Sequence, residues 1–342
     1  MIALPARFDT VEAVEDFLTE PTPELVADLA QASGDILVLG VAGKMGPTLA
    51  RLAKRAVPDR RIIGVARFSD PRSQRALEEA GVETIRCDLL DRKALEALPR
   101  CPNVVFMAGM KFGSSGQQAM TWAMNVHVPA MVAEVFAGSR IVVFSTGCVY
   151  PFVPVAEGGA TEDTPAVPPP GDYANSCLGR ERMFEHFSNV HGTPGRLIRL
   201  NYAIDMRYGV LHDVARKVRD GEPIDLSMGY VNVIWQGDAN SAALRSLGHA
   251  TSPTTPLNVT GPETISIRWL AGEFGRLMGQ APQFIGTEAS VGWLNNAGRM
   301  FAELGYPRVP LFTMIEWTAE WLQRRMPTLD KPTHYEVRDG RY

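Results

Sequence analysis

Five short strand-like segments, four of them apolar runs, each separated from the next by a stretch of helical character, limit how this chain can fold more than any other feature. They are DILVLG (35–40), RIIGVA (61–66), VETIRCDL (82–89), NVVFMAG (103–109) and RIVVFST (140–146). Short runs dominated by apolar residues suit strands buried on both faces, as parallel strands are when helices cover each side of a sheet. Residues 44–56, 72–80, 92–98 and about 117–137 read as the intervening helices. The first half is therefore expected to be a Rossmann-like α/β unit, a parallel sheet covered by helices.

Four divisions follow. Residues 1–33 read as an N-terminal helical extension, acidic and broken at Pro21 and Pro23. Residues 34–200 are expected to be mainly this Rossmann-like unit, the part in which the glycine turn described below would bind a dinucleotide. Residues 201–325 are expected to be mainly a smaller α/β C-terminal domain, the substrate domain that the resemblance below implies, into which returning Rossmann elements are allowed. Residues 326–342 read as an extended tail on the surface. The segment 151–171 carries six prolines and reads as a long loop of the kind that borders a site.

Composition narrows the function classes. The chain of 342 residues is 45% hydrophobic and 21% charged, enough to bury a core and offset chain entropy. Its 34 basic and 38 acidic residues leave a formal charge of −4, which excludes a strong field for nucleic acid or an anionic membrane. No apolar run approaches the roughly 20 residues that span a bilayer. The start MIALPARFDTVEAVEDFL lacks a secretory pattern, and Cys87, Cys101, Cys148 and Cys177 form no CxxC pair. A cytoplasmic, reduced setting is expected. His186 and His191 lie five apart with no carboxylate at ligand spacing, so no metal is assigned.

Gly40, Gly43, Lys44, Met45 and Gly46, in GVAGKMG, follow the first strand and open the first helix. Glycines there permit a tight turn and close approach of backbone to a pyrophosphate, which the helix N-terminus then holds. NAD(P) is the cofactor implied. Arg67 follows the second strand, where a carboxylate normally grips the ribose, and its positive fork suits a 2′-phosphate. That favours NADP over NAD; the alternative has Arg67 capping the sheet and Asp70 contacting the ribose. Asp88 and Leu89 in CDLL are placed to meet the adenine, or Asp88 caps its loop.

The chain resembles the extended short-chain dehydrogenase/reductases of the NAD-dependent epimerase/dehydratase type. GVAGKMG, CDLL, FMAGMK (106–111), NVHVPAMVAEVF (125–136), FSTGCVY (144–150) and YANSC (173–177) carry the likeness. RLIRLNYAI (196–204), VNVIWQGDANSAAL (231–244) and LNVTGPETISI (257–267) extend it over roughly residues 34–325. The resemblance implies a Rossmann domain with a smaller substrate domain, and a homodimer formed through residues 117–137 and 173–190. It places Thr146 where a hydroxyl orients the substrate oxygen and Tyr173 where a phenol exchanges the substrate proton. Asn125 falls where an asparagine holds the active-site backbone, and Ala108 and Gly109 where the cofactor approaches closely.

The pattern breaks at one residue. The family motif is YxxxK, and here the fifth residue is Cys177. A lysine four residues along a helix shares the tyrosine's face and stabilises its anion; a neutral cysteine does not. Lys111, after the fourth strand, is the expected replacement and contacts the cofactor. Arg180, seven residues from Tyr173, reads as too remote for direct contact.

Asn201, Tyr202 and Arg207 are the candidate substrate residues, with Arg207 suited to a carboxylate or else paired with Asp205 or Asp213. Trp293 is either a wall against a sugar ring or a packed aromatic. Hydride transfer on a secondary alcohol or ketone of a small sugar, polyol or sugar acid is the function expected, with a small oxygen-rich substrate as partner. The alternatives are a sugar epimerase, or a dinucleotide-sensing protein with weakened catalysis. A dehydratase lacks support, since Gly147 and Cys148 stand where an acidic pair would follow Thr146.

Overall fold

The computed structural model describes residues 4–110 and 116–338. Seven strands form its main sheet: β1 (Ile36–Leu39), β2 (Ile62–Ala66), β3 (Glu83–Arg86), β4 (Asn103–Phe106), β5 (Arg140–Thr146), β6 (Gly195–Leu200) and β7 (Thr255–Val259). All neighbours are parallel, in the order β7-β6-β5-β4-β1-β2-β3. The order reverses between β1 and β4, and a crevice opens beyond the carboxyl ends of those strands. The four residues of β1 are wholly buried, which explains a run without polar alternation; β3, at the edge, is partly exposed. A smaller C-terminal α/β assembly packs beside this Rossmann-like sheet.

Residues 236–259 return to the sheet. The Gln236–Arg245 helix packs on the Gly46–Ala56 helix, and β7 then adds the outermost strand. The rest of the second half builds a separate core from the Val210–Asp220, Ile267–Met278 and Leu311–Gln323 helices.

Two short helices, Val11–Leu18 and Pro23–Gln31, make up most of the N-terminal extension, each capped by a threonine. Thr10 accepts from Ala13 N–H and Thr22 from Leu25 N–H, satisfying a donor the helix leaves open. Phe17 joins Phe8, Trp235 and Trp317 in an aromatic cluster. Glu15 reaches both halves of the molecule, 2.8 Å from Arg51 and 3.2 Å from Arg207.

Two expectations change. The helix read across 117–137 includes Gln118–Trp122, a π-helical turn at Ala123–His127 and Val128–Val135. Such a turn inserts an extra residue and re-aims side chains; Asn125 lies within it and is fully buried. The tail does not simply lie on the surface. Thr333 and Tyr335 are buried, and Asp213 accepts from both the backbone N–H and the hydroxyl of Thr333. Among the described residues no helix is long and apolar enough to cross a membrane.

Candidate active site

A cleft of about 270 Å³ opens beyond β1, β5 and β6. The glycine turn forms one wall, Thr146 and Tyr173 the floor, and Asn201, Tyr202, Tyr208 and Thr333 the far side.

The glycines of the turn serve different ends. Gly40 has φ +90°, and a Cβ there would lie 2.6 Å from the backbone nitrogen of Ala108. At Gly46 a Cβ would meet the Val41 carbonyl at 2.2 Å. Packing alone therefore demands both. At Gly43 the nearest atom to a Cβ is 3.4 Å away, so its bare backbone leaves open space on the cleft side. Met45 offers no side-chain cap to the Gly46–Ala56 helix, whose first-turn N–H groups remain available to an anion. This combination fits a dinucleotide pyrophosphate.

Lys44 turns inward. Its ammonium donates to the Ala203 carbonyl at 3.2 Å and sits 3.6 Å from the centre of the Tyr208 ring, joining the two halves across the cleft.

At the opposite end Arg67 is exposed, and Arg86 donates to the carbonyls of Arg67 and Phe68. Asp70 caps the Pro71–Glu79 helix through Arg72 N–H, and its bond to the Arg72 guanidinium holds its carboxyl below the usual range. Asp88 accepts from Leu90 N–H at 3.1 Å, closing its own loop, and Leu89 is buried in the core.

Thr146 ends β5, where its hydroxyl accepts from Cys148 N–H at 3.2 Å. Tyr173 stands in the first turn of the Asp172–His191 helix. Burial drives its phenol well above 10, with Cys177 and Cys148 adding to the rise; Arg180 and a hydrogen bond with Thr146 act against it. Cys177 is buried, and burial pushes its thiol up to about 11, so it is neutral near pH 7. It fills space and supplies no charge.

Arg180 reaches the strand ends beside this centre, bonding Phe144 and Asn125 rather than Tyr173 itself. Its guanidinium, only 6% exposed, donates to the Phe144 carbonyl at 2.7 Å and to Asn125 Oδ1 at 2.8 Å. Asn125 Oδ1 also accepts from Met110 N–H, while its amide donates to the Met110 carbonyl and to Ser176 Oγ. Ser176 Oγ in turn donates to the Tyr173 carbonyl at 2.9 Å. Asn125 thus braces the backbone after β4. A Cβ on Gly109 would lie 2.3 Å from Arg180 Nη2, so the missing side chain there makes room for the guanidinium. Lys111 lies outside the described residues.

Among the substrate candidates, Asn201 and Tyr202 line the cleft and Arg207 does not. Arg207 is buried with Asp205 at 2.9 Å and Glu15 at 3.2 Å, and its charge is consumed there. The pairing with Asp205, left open by the sequence, is the one formed. Trp293 is a packed aromatic: its indole N–H donates to the Tyr150 carbonyl and its ring packs on Phe152. Thr333 and Tyr208 were not anticipated as lining residues. Thr333 comes from a tail without apolar periodicity, and nothing local marks it.

A family model, the NAD dependent epimerase/dehydratase family, matches residues 36–250. The chain belongs to this family. No curated protein sequence matches it significantly. Solved structures share the fold at low identity. A UDP-glucuronic acid 4-epimerase from Bacillus cereus, in complex with UDP-glucuronic acid and NAD, is 17% identical with a TM-score of 0.69, covering 85% of this chain and 99% of its own. A dTDP-glucose 4,6-dehydratase from Bacillus anthracis, in complex with NAD, is 16% identical with a TM-score of 0.72, covering 85% and 97%. A UDP-glucose 4-epimerase from Thermotoga maritima, with UDP-glucose, is 17% identical with a TM-score of 0.69, covering 85% and 99%.

Proposed function

We propose that the cleft binds NAD and oxidises a secondary alcohol of a small, neutral sugar or polyol, returning the hydride to the same carbon as a sugar epimerase does. The observation that carries this is the meeting of Thr146 and Tyr173 in one cleft with the glycine turn. Bound NAD supplies a nicotinamide ring that accepts the hydride from carbon and gives it back. Thr146 orients the substrate hydroxyl. The Tyr173 phenolate takes the hydroxyl proton as the C–H bond breaks and the carbonyl forms, and the phenol returns that proton when the carbonyl is reduced. Asn125 holds the Met110 backbone after β4.

The relatives solved with NAD support NAD, and the preference for NADP read from Arg67 gains nothing from them. Lys44 is the one charged side chain lining the cleft among the described residues, and it is engaged with Ala203 and Tyr208. With Arg207 withdrawn, a neutral substrate is better supported than a sugar acid. A nucleotide-linked sugar, as in the relatives, is the second reading. Gly147 and Cys148 provide no carboxylate for a dehydratase, and a Cβ at Gly147 would strike the Asn295 amide at 2.7 Å. A homodimer through the faces holding Met120 and Trp122, both exposed, completes the proposal.

Free sugars, polyols and UDP-sugars incubated with NAD or NADP test the reading. Epimerised sugar without net NADH supports it; accumulation of NADH points to a dehydrogenase. Tyr173→Phe is expected to lower turnover about 100- to 10,000-fold while NAD still binds, and normal turnover in that variant would sink the assignment.

A further inference from the structure

Four arginines are buried among the described residues. Arg196 pairs with Glu303, Arg199 with Glu181, and Arg207 with Asp205. Arg180 alone has no carboxylate; a carbonyl and an amide oxygen are its acceptors, and its Nε has no partner. A buried cation without a counter-ion is costly, and such groups usually pair or lose their charge. Arginine cannot lose its charge. The interior is therefore poised to welcome a negative charge near Arg180.

The surroundings are arranged to keep that charge in place. Gly109 clears the space that Nη2 occupies, and Asn125, inside the π-helical turn, holds the guanidinium through Oδ1. The same asparagine reaches Ser176, whose hydroxyl bonds the Tyr173 carbonyl. Glu181, next along the helix, is paired with Arg199 and bonded to Ser145, so it is committed elsewhere and is not Arg180's counter-ion.

We propose that Arg180 is the resident cation of the site, a positioning residue that favours the phenolate of Tyr173 and so replaces, from seven residues along the helix, the charge that Cys177 lacks. This rests on the function proposed above for Tyr173. The groups acting on the phenol are Cys177 on its own helix, Cys148 and Thr146 at the end of β5, and Arg180. Cys177 and Cys148 oppose ionisation; Thr146 and Arg180 favour it.

The test is a titration of Tyr173 in the full chain without cofactor, so its outcome does not depend on turnover. Fluorinated tyrosine is incorporated, and the Tyr173 resonance is assigned by its loss in Tyr173→Phe. Arg180→Gln keeps a side-chain donor but removes the charge, and is expected to raise the titration midpoint by at least one pH unit. Arg180→Lys is expected to recover more than half of that shift. In turnover the alkaline shift appears in kcat, with KM for the sugar little changed. If Arg180→Gln does not fold, Asn125→Asp sets a carboxylate against the guanidinium and is expected to shift the midpoint in the same direction. Equal midpoints in wild type and every folded charge-altering variant would overturn the proposal. A shifted midpoint with undiminished turnover in Tyr173→Phe would instead reject the function assigned to Tyr173.

Discussion

Arg180 and Glu181 are consecutive residues of one helix, both buried, and they do opposite work. Glu181 closes a circuit: Arg199 lies 2.7 Å away, Ser145 donates to the carboxylate, and Arg199 also donates to Tyr150. Tyr150 continues the chain to Asn258 on β7. That circuit fastens the helix to β5, β6 and β7 and spends its charge on the fold. Arg180 faces the end of β4 with its charge uncompensated. A quarter of a helical turn divides the two. The lesson is that a buried charge stabilises when its circuit is closed and is available for chemistry when it is left open.

The largest expected effect lies in the closed circuit. Glu181→Gln strands Arg199 and should lower unfolding free energy by about 3–5 kcal/mol in a urea titration. A loss below about 1 kcal/mol would break the contrast. Asp238 sharpens it from the acidic side: burial lifts its carboxyl to about 6, against only the Val309 N–H and a nearby Arg308. The native state then holds a proton the unfolded chain has released, so stability should fall by up to about 3 kcal/mol as pH rises from about 4 to about 6. Asp238→Asn should abolish that slope.

Gly109→Ala presses on the open charge itself. It should cost about 1–3 kcal/mol and move the Tyr173 titration upward, because the guanidinium must leave its place. The smallest effect belongs to Cys177. Its thiol should resist alkylation at pH 7 and react only as pH approaches about 11, and Cys177→Ala should change thermal stability by about 1–2 kcal/mol. Rapid labelling at neutral pH would show a thiolate and a different role.

The centre of the sheet could be read from sequence because β1, β4 and β5 are buried on both faces, and that burial writes itself as apolar runs; the partly exposed edge strand β3 shows no such run. The glycine turn was legible because it follows the first strand and opens a helix, while Thr146, Tyr173 and Asn125 came from the family resemblance of the motifs that hold them. Arg180 was not. Seven residues along a helix is about 10 Å, and nothing in that spacing shows that the side chain ends on Phe144 and Asn125. Long helical side chains point back toward the N-terminus, and the gap that receives this one is created 71 residues earlier in sequence, at Gly109. Arg207 misled in the reverse direction. Its charge is cancelled in part by Glu15, 192 residues away, and no local pattern encodes such a partner.

Glu15 also bears on how the two halves are joined. One carboxylate oxygen holds the Gly46–Ala56 helix through Arg51, and the other holds the start of the second half through Arg207. The family match begins at residue 36, so the strut lies wholly upstream of it. A chain trimmed to that boundary would lose the brace and the packing of Phe8 and Phe17 on Trp317. The described residues ahead of the family match are therefore built into both cores and are not a dispensable leader.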